Sequence, residues 1–245
     1  MTRAPVPPAL RVLPDAEALA AAGAALLAER VRAAVRARGR AALALSGGRV
    51  GPLLERLASE RLPWEAIDVF QVDERIAPAG APARNLTALA AALVGPGRLA
   101  AGALHALPVE DPDLAGACAR YTRELERAAG RPPVLDVVHL GLGADGHTAS
   151  LFAGDAALEV EGVDVAPTAA EHAGFRRLTL TLPALSRARC AVWIASGAEK
   201  APALARLLAG DPALPAARVA AAERLVLADR AAAADVRAEA DPLPS

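Results

Sequence analysis

The feature that most restricts the fold of this chain is a repeated punctuation. Apolar runs too short for helices end abruptly in glycines or charges, and longer alanine-rich stretches separate them. Residues 41–45 run into Ser46-Gly47-Gly48, residues 67–72 into Asp73-Glu74-Arg75, and residues 135–140 into Gly141-Leu142-Gly143-Ala144-Asp145-Gly146-His147. Residues 177–182 alternate apolar with polar, and 191–195 and 224–228 are further short runs. Runs of this length between turn signals read as strands, and the continuously apolar ones as strands covered on both faces. Helices are expected at 16–38, 53–60, 85–93, 114–129 and after Lys200, the first capped by Asp15 and stopped by Gly39, the second opened by Pro52. Strands alternating with helices predict an α/β fold built on a mostly parallel sheet with helices on both faces. No repeat or long linker interrupts residues 1–245, so one domain is expected, with a short frayed polar tail after Ala238.

Composition narrows the partners. Hydrophobic residues make up 54% of the chain and aromatics only 2%, so the core must be built from Leu, Val and Ala. The formal net charge is −1 with both signs interspersed, which leaves no basic stripe for a phosphate backbone, and nucleic acid is not an expected partner. Cys118 and Cys190 stand far apart and outside any C-x-x-C spacing, as buried inert thiols do, and no His/Cys spacing suits zinc. The apolar stretch 16–27 follows Asp15 and prolines rather than a basic segment, and no run reaches the ~18 residues of a membrane span. The expectation is a cytoplasmic protein with no membrane partner, no metal and no cofactor, a monomer or weak homo-oligomer.

In a parallel sheet the ends of successive strands share one edge, so the three polar clusters converge there, joined by Gly197-Ala198-Glu199-Lys200 after the strand holding Trp193. Glycine turns let backbone N–H groups approach an anion, and Arg75 and Lys200 supply positive charge, a combination suited to a small phosphorylated ligand. His147 is the histidine set in a glycine loop. An imidazole titrating near ~6.5, with Asp145 two residues away to orient it, reads as a general base. His105, His139 and His172 read as surface or satisfied structural histidines, and Trp64 and Trp193 as packing. Asp73, Glu74 and Asn85 fit site roles and structural ones, as cap or surface ion-pair partner, equally well. Gly141-x-Gly143-x-x-Gly146 also matches a dinucleotide fingerprint, but the acid ~20 positions on should end a strand. Here Glu159, Glu161 and Asp164 fall in unpatterned sequence.

Ser46-Gly47-Gly48, Asp73-Glu74-Arg75 and the run from Leu140 through Gly-Leu-Gly-Ala-Asp-Gly-His-Thr-Ala-Ser-Leu to Phe152 closely resemble the signature stretches of the 6-phosphogluconolactonases. Similarity continues at Arg177-Leu-Thr-Leu-Thr181, at Gly197 to Lys200 and at Leu214-Pro-Ala-Ala-Arg218, so it spans nearly the whole chain. The resemblance implies a Rossmann-like α/β sandwich shared with glucosamine-6-phosphate deaminases. It also implies hydrolysis of a phosphorylated sugar lactone, with no cofactor, in the oxidative pentose phosphate pathway. The deaminases are the alternative within the fold, but they resemble Asp-Glu-Tyr where this chain has Arg75, and carry Phe-Asn-Glu-Pro after the histidine where this chain has Ser150-Leu151-Phe152. A noncatalytic sugar-phosphate binder is a further alternative, although it has no need of a His-Asp pair beside the anion.

Together, resemblance and residue chemistry give His147 and Asp145 as the catalytic pair. They give Ser46, Gly47, Gly48, Arg49, Asp73, Arg75, Asn85, Gly143, Arg177 and Lys200 as the substrate- and phosphate-binding residues, with oxyanion donors from the glycine-loop amides or Arg177. The chain departs from the family pattern where Arg49 replaces a hydroxyl residue, Ala153 a proline and Arg84 a serine.

Overall fold

The computed structural model describes residues 7–48 and 51–236. In chain order its elements are β1 (Ala9–Leu13), α1 (Ala16–Arg38), β2 (Ala41–Leu45), α2 (Gly51–Ser59), β3 (Ile67–Gln71), β4 (Asp73–Arg75), α3 (Asn85–Leu89) and β5 (Leu104–His105). There follow α4 (Leu114–Ala129), β6 (Val137–Leu140), β7 (Val165–Pro167), β8 (Arg177–Leu180), α5 (Leu182–Ser186), β9 (Cys190–Ala195), α6 (Ala201–Leu208) and β10 (Glu223–Asp229). The first helix forms as its caps dictate. Asp15 accepts from Ala18 N–H at one end, and Gly39, left-handed at φ 76°, donates to Val35 O at the other.

A seven-stranded sheet runs β1-β10-β9-β6-β2-β3-β5, and every pair in it is parallel. The interior strand β2, between β6 and β3, is buried along its whole length, as a strand between two helical layers must be. One face packs α1 and α2 through residues such as Leu27, Val31, Leu54 and Leu57. The other carries α4 and α6 through Tyr121, Leu125, Leu204 and Leu207, with Trp193 and Phe70. The core is aliphatic and alanine-rich, and both tryptophans pack in it. Cys118 and Cys190 are also buried, which pushes their thiols up to about 11 and about 12 and leaves both unreactive. Among the described residues no helix is long and apolar enough to cross a membrane.

The structure corrects the sequence reading in several places. Residues 177–182 do not join the main sheet: β8 lies between β4 and β7 in a separate antiparallel three-stranded sheet. The switch happens at Val72, whose N–H still donates to Leu45 O while its carbonyl already accepts from Leu180 N–H. The alternating pattern of β8 is the usual signature of an antiparallel strand. Strands β1, β5 and β7 carry too little apolar pattern to be read in advance, being an edge strand with Arg11, a two-residue strand and a strand ending in Pro167. The helix expected at 85–93 widens after Leu89 into a π-turn over Ala90–Val94. His139 is not satisfied: it is fully buried, with neither ring nitrogen hydrogen-bonded among the described residues, and burial lowers it to about 4. Arg49 and the tail after Ala238 lie outside the described residues.

Candidate active site

The ends of β2, β6 and β9 open on a cleft of about 630 Å³, and β4 and β8 close it from the side. Ser46, Gly47 and Gly48 reach it from β2, Gly143 and His147 from the loop after β6, and Lys200 from the turn after β9. Asp73, Arg75 and Asn85 come from the β4–α3 segment and Arg177 from β8. Every site residue expected from sequence therefore lines one cleft, except Arg49, outside the described residues, and Asp145, which sits behind His147. No helix begins at the glycine loop, which passes instead through turns to β7, so it is not the strand-to-helix turn of a dinucleotide fingerprint.

The β4–α3 flank is ordered by two adjacent acids that face opposite ways, because successive strand residues do. Glu74 points inward at 0% exposure and accepts from Gln71 Nε2, Arg75 N, Asn85 N and Leu86 N, each at 2.8 Å. Arg84 Nε stands 3.1 Å from its Oε2. This carboxylate, not Asn85, caps α3, and it is a buried hub rather than a surface ion-pair partner. Asp73 is no cap either. It faces the cleft side, accepting from Ser150 Oγ at 2.6 Å and Asn85 Nδ2 at 3.2 Å. Burial pushes its carboxyl above the usual range, against the opposing pull of the Ser150 bond and of Arg75 and Arg177.

Arg75 and Arg177 stand directly opposite each other in the β4–β8 pair. Arg75 donates to Ala83 O at 2.7 Å and Arg177 to His172 O at 2.9 Å, and the Nε of each is buried with no partner among the described residues. Asn85 Oδ1, also buried, has no partner among the described residues either. The amides of Gly47 and Gly48 bond to no group among the described residues. Gly47 allows close approach, since a Cβ there would lie 2.3 Å from the Asn85 side chain. On the opposite wall, Asp229 accepts from Ser196 Oγ at 2.5 Å and from Gly197 N, fixing the turn that presents Lys200.

The glycine loop is strapped to itself. Gly143 N donates to His147 O at 2.8 Å, Gly146 N to Gly143 O, and Thr148 Oγ1 to Gly141 O. Asp145 Oδ1 lies 2.5 Å from His147 Nδ1, which leaves Nε2 unengaged among the described residues. Partial burial tends to raise the Asp145 carboxyl, but the charge and hydrogen bonds of His147 outweigh that and hold it below the usual range. The pair fits only because residue 143 is glycine: a Cβ would stand 2.1 Å from His147 Nδ1 and 2.3 Å from Asp145 Oδ1. Two contributors go unnoticed in the sequence, Phe152 against His147 and His172 against Phe152. Phe152 sits inside a recognisable motif, whereas His172 lies 25 residues beyond His147 in a turn with no strand pattern.

Fold and cleft define an α/β protein that gathers two guanidiniums and an ammonium around free backbone amides, beside a histidine aligned by a carboxylate. Residues 14–227 match the family described as glucosamine-6-phosphate isomerases/6-phosphogluconolactonase. The chain belongs to that family. It is 38% identical over 205 residues to a 6-phosphogluconolactonase of Nostoc sp., covering 82% of this chain and 85% of that one. Its fold superposes on the crystal structure of 6-phosphogluconolactonase from Thermotoga maritima with a TM-score of 0.81 at 27% identity, over 90% of this chain and 98% of that one. A monomeric glucosamine-6-phosphate deaminase gives a TM-score of 0.79 at 19% identity, over 93% and 99% of the two chains. That likeness shows the fold alone.

Proposed function

We propose that this chain hydrolyses 6-phospho-D-glucono-1,5-lactone to 6-phospho-D-gluconate, a step of the oxidative pentose phosphate pathway, as a cytoplasmic enzyme working on a free small-molecule substrate. The observation that carries the reading is the His147–Asp145 pair, whose free Nε2 belongs to the same cleft as Arg75, Arg177, Lys200 and the Gly47 and Gly48 amides. The 6-phosphate sits on those two amides with Arg75 and Lys200. Ser46, Asp73 and Asn85 line the cleft beside the sugar.

His147 Nε2 takes a proton from water as its oxygen adds to the lactone carbonyl. The tetrahedral intermediate then collapses, the bond from C1 to the ring oxygen breaks, and the imidazolium returns the proton to that leaving oxygen. Asp145 holds the imidazole in the tautomer with Nδ1 protonated and steadies the charge it acquires. For the oxyanion, the sequence leaves the glycine-loop amides and Arg177 as equal candidates. The Gly143 and Gly146 amides are already spent inside the loop, so Arg177, whose side chain lines the cleft, is the donor we assign. The chemistry asks for a base, a water and charge stabilisation, and no cofactor is invoked.

A deaminase needs a further proton carrier for acid–base steps on an open-chain sugar, and Ser150-Leu151-Phe152 follow the histidine here instead. The test is to add purified protein to fresh lactone, subtract the spontaneous rate, and follow the acid through a coupled phosphogluconate dehydrogenase. Wild type should accelerate hydrolysis and folded His147→Ala should not. No acceleration by wild type, with turnover of glucosamine 6-phosphate, would move the chain to the deaminase branch.

A further inference from the structure

Asp145 holds the His147 ring by one atom, and a ring held by one hydrogen bond can still pivot about it. What limits the pivot is Phe152, whose ring centre is 4.4 Å from that of His147 at a tilt of 36°. Phe152 has no polar group of its own to fix it. Its closest ring neighbour is His172, stacked at 3.6 Å and within 8° of parallel, with the Arg177 guanidinium 5.4 Å from the Phe152 centre.

We propose that His172 is a positioning residue for His147: it pins the Phe152 ring, and Phe152 sets the plane in which His147 offers Nε2 to the cleft. The proposal rests on the reading of His147 as the base. His172 is itself held by an edge and a face. Its Nε2 bonds Asp155 Oδ2 at 3.0 Å, and the same carboxylate accepts from the amides of Ala157, Ala169 and Ala170. The Asp155 amide donates to Phe152 O, so one residue ties the Phe152 backbone to the His172 ring. The turn carrying His172 is a tight two-residue loop, with Ala173 and Gly174 both left-handed at φ 53° and 79°, closed by His172 N donating to Phe175 O at 2.9 Å. An imidazole suits this place because it offers a flat face to Phe152 and an edge nitrogen to Asp155, which no aliphatic side chain does.

The experiment compares His172→Ala and His172→Phe with wild type, by kinetics and by the Cε1–H resonances of the histidines in carbon–proton correlation spectra. The His147 resonance is assigned by its loss in His147→Ala. His172→Ala should lower kcat about 10-fold, as a small misplacement of a reacting group does, while KM moves less than ~2-fold. The His147 resonance should shift as the ring current of Phe152 on it changes, and His172→Phe, which keeps the flat face, should recover part of both effects. If His172→Ala does not fold, Phe152→Leu gives the same two readouts. An unshifted His147 resonance, or an unchanged kcat in the folded variant, overturns the proposal. A wild type with no lactonase activity removes the base reading, and the resonance shift then decides by itself whether the three rings are coupled.

Discussion

The two flanks of the cleft are held by opposite means. On the β4–α3 side, Glu74 lies fully buried and is answered on both oxygens by four hydrogen-bond donors and Arg84. On the β6 side, the strand that launches the glycine loop contains His139, buried with neither nitrogen answered, and the loop ends in a pair whose acid, Asp145, is 63% exposed. The flank that presents fixed charge is overdetermined by hydrogen bonds. The flank that changes protonation on the proposed reading rests on packing and on its own backbone, and keeps its ionisable pair near water, where a proton can come and go.

The largest effect should come from Glu74→Ala, which orphans buried donors at once. A loss of ~3–5 kcal/mol in urea unfolding is expected, and a variant that unfolds like wild type would refute the hub. On the other flank, His139 should make the fold acid-sensitive. Its folded value is depressed, so the unfolded chain binds the proton first. Stability is complete above the ordinary value of 6.5 and falls as pH drops towards about 4, by about 3 kcal/mol. Thermal melts of His139→Leu should lose that slope, and a slope that survives the substitution assigns it elsewhere.

Gly143→Ala tests how tightly the proposed catalytic pair is seated. The added methyl displaces His147 or Asp145, and kcat should fall on the order of 10²-fold with the melting temperature little changed. Asp145→Asn is the mildest change. An exposed ion pair is worth up to ~1 kcal/mol, so kcat should fall no more than about 5-fold. A much larger loss would mean that the exposed flank is as tightly determined as the buried one.

The main sheet and most of the cleft are legible in the sequence because each chemical cluster directly follows an apolar run, and parallel strands place those ends together. Asp73 and Glu74 show what the sequence conceals. As neighbouring acids they look interchangeable, and only the departure of β4 into a second sheet sends one towards the cleft and the other into the interior. That departure has no local signal, since the partner strand β8 lies about a hundred residues away. His172 is hidden for a related reason: its contact with the glycine loop runs through ring faces, and stacking leaves no spacing rule in a sequence.

The pairing of Arg75 directly opposite Arg177 has a consequence for the life of the molecule. Side chains directly opposite in an antiparallel pair share a face, and like charges placed so repel. Burial and the nearby Arg75 charge both lower Arg177, against the pull of Asp73 and Glu74. On the proposed reading, a sugar-phosphate dianion seated beside them offsets that repulsion, so the native state and its ligand stabilise each other. At a hundredfold excess over Kd the gain is about 2.7 kcal/mol. Resistance to unfolding and proteolysis would then rise and fall with the supply of the anion it processes, and the protein would persist longest where its pathway is busiest.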